Sequence, residues 1–333
     1  MAQRSRTMKI LVTGGAGYVG SVVAEELVKQ GYEVVVLDNL QQGHREAVPE
    51  GAEFVQADIS DRTATVQVFQ RHTIDAVMHM AAETVIEYSM SDPKRFFHSN
   101  LVCPLELLEV MFEHDVHKLI FSSTAAVYGI PTVTPIEEGH SKIPVNSYGE
   151  SKLMFERILE WYGKAYGLRY ISLRYFNAAG ASETLGEDHH PETHLIPNIL
   201  KAALGTNSLV NIFGTDYPTK DGTCVRDYVH VTDIARAHIL ALKNLDVMSG
   251  KAYNLGNGEG YSVLEVAETA RRITGANIAT KMCPRRPGDP AALVASSRLV
   301  SKELGWKPEF PDLGSIVETA WRWQRKHPKG YAQ

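Results

Sequence analysis

The sequence predicts an α/β protein: a doubly wound parallel sheet followed by a smaller mixed α/β lobe. Three features predict it. Short apolar or β-branched runs alternate with helical periodicity through the first half, a glycine-rich turn joins the first run to the first helix, and the alternation loosens beyond about Asn177.

Taken in order, Lys9 to Thr13 is an apolar strand run, and Val19, Val23 and Leu27 then recur every four residues, the spacing of one helix face. Gly31 closes that helix, and Glu33 to Leu37 is a second strand, apolar enough to be buried on both faces. Further strands are expected at Glu53 to Gln56, Ala76 to Met80, Lys118 to Ser122 and Tyr170 to Leu173, with helices around Pro93 to His114 and Ser147 to Tyr166. Repeated strand-helix-strand units with short links wind a parallel, Rossmann-like sheet with right-handed crossovers. This divides the chain into a first domain over residues 8–177 and a lobe over 178–333. The segment 226–245 is a candidate to return to the main sheet.

With 333 residues and 44% hydrophobic content the chain is long enough for one large core. The net charge of −5 offers no broad attraction to nucleic acid or membrane, so an anionic ligand has to be held by a few local cations. Cys103, Cys224 and Cys283 are odd in number and far apart, which fits neither a disulfide framework nor a zinc spacing and predicts a reducing compartment. Met1 to Thr7 is polar and basic with no apolar stretch behind it, so it reads as a disordered leader and not a secretory signal. No run approaches the ~20 apolar residues of a membrane span. A soluble, cytoplasmic protein is expected.

Gly14, Gly17 and Gly20 form Gly-x-x-Gly-x-x-Gly between the first strand and first helix, where glycines let the backbone approach a pyrophosphate and the helix N-terminus supplies free N–H groups. A tight structural turn is the alternative. Asp38 ends the second strand, about 20 residues on, where a carboxylate meets adenosine ribose hydroxyls and repels a 2′-phosphate. That favours NAD over NADP, unless Asp38 only caps the next turn. Asp58, at the end of the third strand, is either an adenine acceptor or a turn residue.

Tyr148 and Lys152 lie four residues apart at the start of a helix and so share one face. A phenol with a reference pKa of about 10 is a poor base, but a nearby ammonium favours its ionised form. Thr124, in the Ser/Thr-rich end of the strand beginning at Lys118, can place a hydroxyl beside the same reacting oxygen. The three make a Thr-Tyr-Lys set for alcohol oxidation.

The chain resembles the extended short-chain dehydrogenase/reductases, and within them the UDP-galactose 4-epimerase group. The resemblance rests on Leu-Val-Thr-Gly-Gly-Ala-Gly-Tyr-Val-Gly ending at Gly20, Leu-Asp-Asn-Leu ending at Leu40, Ser-Tyr-Gly-Glu-Ser-Lys ending at Lys152, and Leu-Arg-Tyr-Phe-Asn ending at Asn177. The run from Phe213 to His230, containing Gly-Thr-Asp-Tyr-Pro-Thr and Val-Arg-Asp-Tyr-Val-His, is the part specific to the epimerase group.

The resemblance implies a tightly held NAD and interconversion of UDP-glucose and UDP-galactose through a transient 4-keto sugar. Tyr148 would exchange the proton of the sugar 4-hydroxyl, Thr124 would hydrogen-bond that oxygen, and Lys152 would support the tyrosine and the nicotinamide ribose. On the cofactor side it implies Tyr18 and Val19 with the three glycines, Asp38 with Asn39, and Asp58 with Ile59. Met80, Ala81, Asn100, Ser122 and Phe176 belong to the same side. On the substrate side it implies Arg226 and Arg286 for the pyrophosphate, Asp289 for a ribose hydroxyl, Asn177, His194 and Tyr228 along the pocket, and Leu293 as the sugar-size gate. A homodimer through the two long helices is also implied.

The chain departs from the family pattern at Glu83 to Tyr88, where relatives often carry Lys or a Ser-Leu-Val-Gly-like sequence. UDP-N-acetylhexosamine and UDP-pentose 4-epimerases share the same chemistry and remain alternatives. A sugar-nucleotide 4,6-dehydratase is disfavoured because Ala125 and Ala126 follow Thr124 where an Asp-Glu pair is expected. A non-catalytic NAD-binding regulator would have no use for all three of Thr124, Tyr148 and Lys152. The cluster from Asp188 to His194 offers metal-ligand types, but Pro191 spoils a regular helical ligand face. It reads as a substrate-covering loop, and no metal is expected.

Overall fold

The computed structural model describes residues 6–206, 209–286 and 288–331. Of the expected leader, residues 1–5 lie outside the described residues, while Arg6 is pinned by an ion pair with Asp75 at 3.0 Å.

Seven strands form one parallel sheet: β1 (Lys9–Thr13), β2 (Glu33–Asp38), β3 (Ala52–Gln56), β4 (Ala76–His79), β5 (Lys118–Thr124), β6 (Arg169–Tyr175) and β7 (Lys251–Leu255). Their order is β7-β6-β5-β4-β1-β2-β3, so β1 lies between β2 and β4 and the winding reverses there. Strand alternation divides the core into two layers. Ile10, Val12, Val34 and Val36 face helices α1 (Tyr18–Lys29) and α4 (Val231–Met248), while Leu11, Val35, Leu37 and Phe121 face α2 (Cys103–Glu113) and α3 (Ser147–Tyr166). The chemistry of α3's ends sets its length: Asn146 caps the start by accepting from the Gly149 N–H at 2.8 Å, and Gly167 ends it with φ of 71°.

Three features refine the sequence expectation. The stretch from Pro93 to His114 is helical as expected but not α-helical throughout. It runs as a helical turn over Pro93–Phe97, a π-turn over His98–Val102 and then α2. Pro104 has no N–H to offer the Asn100 carbonyl, so the ladder opens there and widens. Secondly, the segment 226–245 returns to the main sheet as a helix packed on it and not as a strand in it. Tyr228–His230 pairs with Asn177–Ala179 in a separate two-stranded sheet, and the following α4 packs against α1 and β6. Thirdly, β7 closes the main sheet beside β6 from within the expected lobe. The lobe otherwise holds a three-stranded sheet centred on Val225–Arg226, the pair Val210–Phe213 with Thr280–Cys283, and a helical cluster around Ile199, Val266 and Ile316. Among the described residues no helix is long and apolar enough to cross a membrane.

Candidate active site

In an open parallel sheet the crevice for a ligand lies beyond the strand ends where the order reverses. The glycine turn occupies that place. Gly14 has φ of +71°, and a Cβ there would lie 2.6 Å from the Ala81 nitrogen. A Cβ on Gly20 would sit 2.1 Å from the Gly14 carbonyl oxygen, so both glycines are needed for the turn to close. Gly17 is different: its Cβ would meet only the Gly14 oxygen, at 3.4 Å. It is the N-cap of α1 and gives no side-chain cap, so the N–H groups of Tyr18, Val19 and Gly20 open the helix toward the crevice. This is a cradle that fits a dinucleotide pyrophosphate.

Asp38, buried at the end of β2, accepts from the Ala16 N–H at 3.0 Å and the Leu40 N–H at 2.8 Å. Burial raises its pKa and these backbone donors oppose the shift. Asn39 donates to Asp58 at 2.5 Å; Ile59 is buried under the same strand ends, against the layer that contains Leu37. Asp58 is pulled below the ordinary carboxylate range: burial works upward, but hydrogen bonds from Ser60 and Asn39 outweigh it.

Beyond β4, the Met80 N–H donates to the Thr13 carbonyl at 3.0 Å and brings Ala81 against Gly14. His79 shares a 2.7 Å hydrogen bond with Thr13; burial, reinforced by the charge of Lys152, pushes its pKa down to about 3 and keeps it neutral. The π-turn delivers Asn100 to this edge. Its amide donates to the Glu83 carbonyl at 2.9 Å and accepts from the Glu83 N–H at 2.8 Å, while also reaching Ser151 at 3.2 Å. Glu83, the first residue of the departing segment, is also held by Arg95 at 2.6 Å and Gln41 at 2.9 Å.

Thr124 ends β5, where its hydroxyl accepts from the Ala126 N–H at 3.1 Å and acts on the Tyr148 phenol. Tyr148 is in the first turn of α3. Burial raises the pKa of its phenol and the Thr124 hydroxyl works against that rise. One turn on, Lys152 is 2% exposed; its ammonium donates to the Ser122 carbonyl at 3.0 Å and lies 4.8 Å from the Phe121 ring centre. Burial pulls its pKa down to about 7, with Glu156 acting the other way. The Ser122 hydroxyl bonds His238 at 3.2 Å.

Sequence reasoning missed the support beneath this set. Glu156 accepts from Ser123 at 2.5 Å and pairs with Arg174 through Nε at 2.9 Å and Nη2 at 2.5 Å; Arg174 also reaches the Tyr128 hydroxyl at 2.9 Å. The available signal was spacing, since Tyr148, Lys152 and Glu156 recur every four residues on one helix face.

On the substrate side, Asn177 donates to the Asp227 carbonyl at 2.9 Å, next to Phe176, which packs with Leu153, Ala295 and Leu293. The parallel pairing of Leu293 with Arg226 brings the expected gate beside the expected pyrophosphate ligand. Arg226 is ion-paired with Asp289 and donates to the Val225 and Pro290 carbonyls. Arg286 is exposed, with its guanidinium 4.0 Å from the Phe213 ring centre. Tyr228 is buried in the lobe core near Ala179 and Ile196, and burial, the largest cause, raises its pKa. His194 immediately precedes Leu195 and Ile196, which pack with Tyr228, while its imidazole turns to the loop before it. It pairs with Glu187 at 2.8 Å and Glu192 at 3.3 Å; burial opposes its charging, but the two carboxylates push its pKa up to about 10. A separate open cleft of about 750 Å³, lined by Val133, Glu137, Asn257 and Trp306 among others, carries none of the expected site residues.

The parallel sheet, the glycine turn at its switch point and the Thr-Tyr-Lys arrangement are those of a dinucleotide-dependent enzyme of the short-chain dehydrogenase/reductase type. The model of the NAD dependent epimerase/dehydratase family matches residues 10–256, and the chain belongs to that family. It is 50% identical over 327 residues to the UDP-glucose 4-epimerase of Lacticaseibacillus casei, covering 97% of this chain and 99% of that one. A crystal structure of a UDP-glucose 4-epimerase superposes with a TM-score of 0.95 at 48% identity, covering 98% of this chain and all of the other. The UDP-glucose 4-epimerase of Brucella ovis in complex with NAD gives a TM-score of 0.91 at 44% identity, over 95% and 98% of the two chains.

Proposed function

We propose that this protein is an NAD-dependent isomerase that interconverts UDP-glucose and UDP-galactose by inverting C4 of the sugar. The observation that carries the reading is the convergence of Thr124 at the end of β5, Tyr148 in the first turn of α3 and the buried Lys152 one turn on, whose ammonium is held to the Ser122 carbonyl. NAD, when bound, supplies the acceptor and donor of the C4 hydride. Tyr148 holds and returns the proton of the 4-hydroxyl, and Thr124 orients that oxygen. Lys152 sets the local field, since an ammonium that burial has brought near neutrality responds strongly to a ligand's charge.

Residues 8–177 are proposed as the NAD-binding domain, completed by α4 and β7, and the remainder of 178–333 as the substrate lobe. Gly17, Tyr18, Val19 and Gly20 would meet the pyrophosphate through their backbone, and Asp38 the adenosine ribose. Arg226 and Arg286 would hold the UDP pyrophosphate, with the Asp289 carboxylate passing from Arg226 to the ribose. Exposed Val102, Met154 and Trp161 on the α2 and α3 side support a homodimer through that face, and the three free thiols fit a cytoplasmic location.

The test is to incubate the purified protein with UDP-galactose, without added NAD, and follow UDP-glucose. Conversion that Tyr148→Phe abolishes supports the reading. Absence of turnover even with NAD supplied overturns it. UDP-N-acetylgalactosamine and UDP-arabinose in parallel define what the Leu293 gate admits.

A further inference from the structure

The loop from Glu187 to His194 gathers four side chains of metal-ligand type outside the alcohol site. Glu187, His189, Glu192 and His194 each bring one ligand atom, and the four atoms lie within 4.8 Å of one another. A loop does this without the regular helical face that Pro191 forbids, and it recruits Glu187 from upstream of the cluster read in the sequence.

The separations suit a ligand set as well as a pair of ion pairs. Glu187 Oε1 is 2.8 Å from His194 Nδ1 and 3.4 Å from His189 Nδ1. Glu192 Oε1, which also accepts from the His194 N–H at 2.9 Å, lies 3.3 Å from His194 Nδ1, and Glu192 Oε2 lies 3.7 Å from His189 Nδ1. A tetrahedral ion with bonds of about 2.0–2.1 Å holds its ligand atoms about 3.3 Å apart, in the middle of this range. Both histidines turn the same atom, Nδ1, inward.

Two of these atoms have no hydrogen-bond partner among the described residues: His189 Nδ1 and Glu192 Oε2, both buried and facing each other across the 3.7 Å gap. The Glu192 side chain is only 5% exposed. Buried polar atoms left unsatisfied call for a partner, and an ion bound between them supplies it to both at once. Two carboxylates neutralise a divalent ion, and imidazole ligands select the zinc class over calcium or magnesium, which prefer oxygen.

We propose that Glu187, His189, Glu192 and His194 form a closed, four-coordinate site for a zinc-class divalent ion. Its role is structural. The His189 ring lies edge-on to Tyr18 at 6.2 Å, and the Tyr18 hydroxyl donates to the Gly180 carbonyl at 2.6 Å, so the site ties the loop to the first turn of α1. His194 immediately precedes the helix Leu195–Ala203, and Asn198 donates back to the Glu192 and His194 carbonyls, holding the ligand loop in shape. The site stands independently of the epimerase reading.

The test uses the full-length protein, stripped with a chelator and titrated with Zn²⁺ or Co²⁺. One Zn²⁺ per chain is expected, together with the intense visible bands of tetrahedral Co²⁺. His189→Ala and Glu192→Gln should each weaken Zn²⁺ binding by more than about 100-fold, the upper end of what loss of an outer-shell partner costs. The wild-type cobalt spectrum decides the matter even if a variant fails to fold. Substoichiometric binding, a weak octahedral spectrum, or equal binding by the variants overturns the proposal and leaves two imidazolium–carboxylate pairs.

Discussion

Tyr148 and Lys152 stand one turn apart on α3, and their polar ends answer to different residues of β5: the Thr124 hydroxyl lowers the pKa of the Tyr148 phenol against its burial, and Lys152 donates to the Ser122 carbonyl at 3.0 Å. One strand end therefore fixes both the proton-transfer group and the charge that tunes it. Tyr148→Phe should lower kcat for UDP-galactose conversion by about 10²- to 10⁴-fold, the range for a positioned acid–base group, while bound NAD is unchanged. Thr124→Val removes one hydrogen bond and should lower kcat by about 10-fold. Steady-state rates, with NAD content measured on the denatured protein, check both.

Lys152 makes stability depend on pH. Its pKa falls from an ordinary 10.5 to about 7 because burial disfavours the ammonium. Below 7 the group is charged folded and unfolded, and the burial penalty is fully present. Between 7 and 10.5 the unfolded chain keeps a proton that the folded chain has released, so stability rises with pH. Lys152→Met should therefore stabilise the fold most below pH 7, with the advantage shrinking toward 10.5. Denaturant midpoints of the two proteins at both ends of that window are the measurement; a constant difference would contradict the burial argument.

Gly17 and Gly20 should fail in different ways. Gly20→Ala forces a Cβ to 2.1 Å from the Gly14 oxygen, so the turn itself must move and thermal stability should drop. Gly17→Ala meets its neighbour only at 3.4 Å and should leave the melting temperature of the dinucleotide-free protein nearly unchanged while reducing NAD affinity. Thermal melts with and without NAD separate the two effects.

Arg174 and Glu156 are a buried ion pair, with side chains 4% and 8% exposed. Arg174→Met strands the carboxylate and should destabilise the protein by about 3–5 kcal/mol in denaturant titrations. Adding Glu156→Gln should restore part of that loss, because a neutral amide replaces the stranded charge.

The parts legible in the sequence are those whose physics is local. The glycine turn, Asp38 at the end of β2, and the four-residue spacing of Tyr148 and Lys152 each announce themselves within a few residues. The π-turn was hidden because its apolar pattern continues that of a helix; only Pro104 marks the missing donor. The strand β7 was hidden because Lys-Ala-Tyr-Asn-Leu is short and weakly patterned, and its partner β6 lies far upstream. Glu187 joins its cluster through a loop, which has no periodicity to read. Asn100 came only through family resemblance, since nothing in its neighbours predicts that it will clamp Glu83.

The late arrival of β7 bears on how the chain is made. Until residue 255 has left the ribosome, β6 has no neighbour on one side, and Ile171 and Leu173 lie in a strand whose backbone donors and acceptors are open to any other nascent chain. At roughly 5–20 residues per second, the interval between completing β6 and completing β7 is several seconds or longer. During biosynthesis that edge stays open to wrong pairing until β7 arrives to cover it.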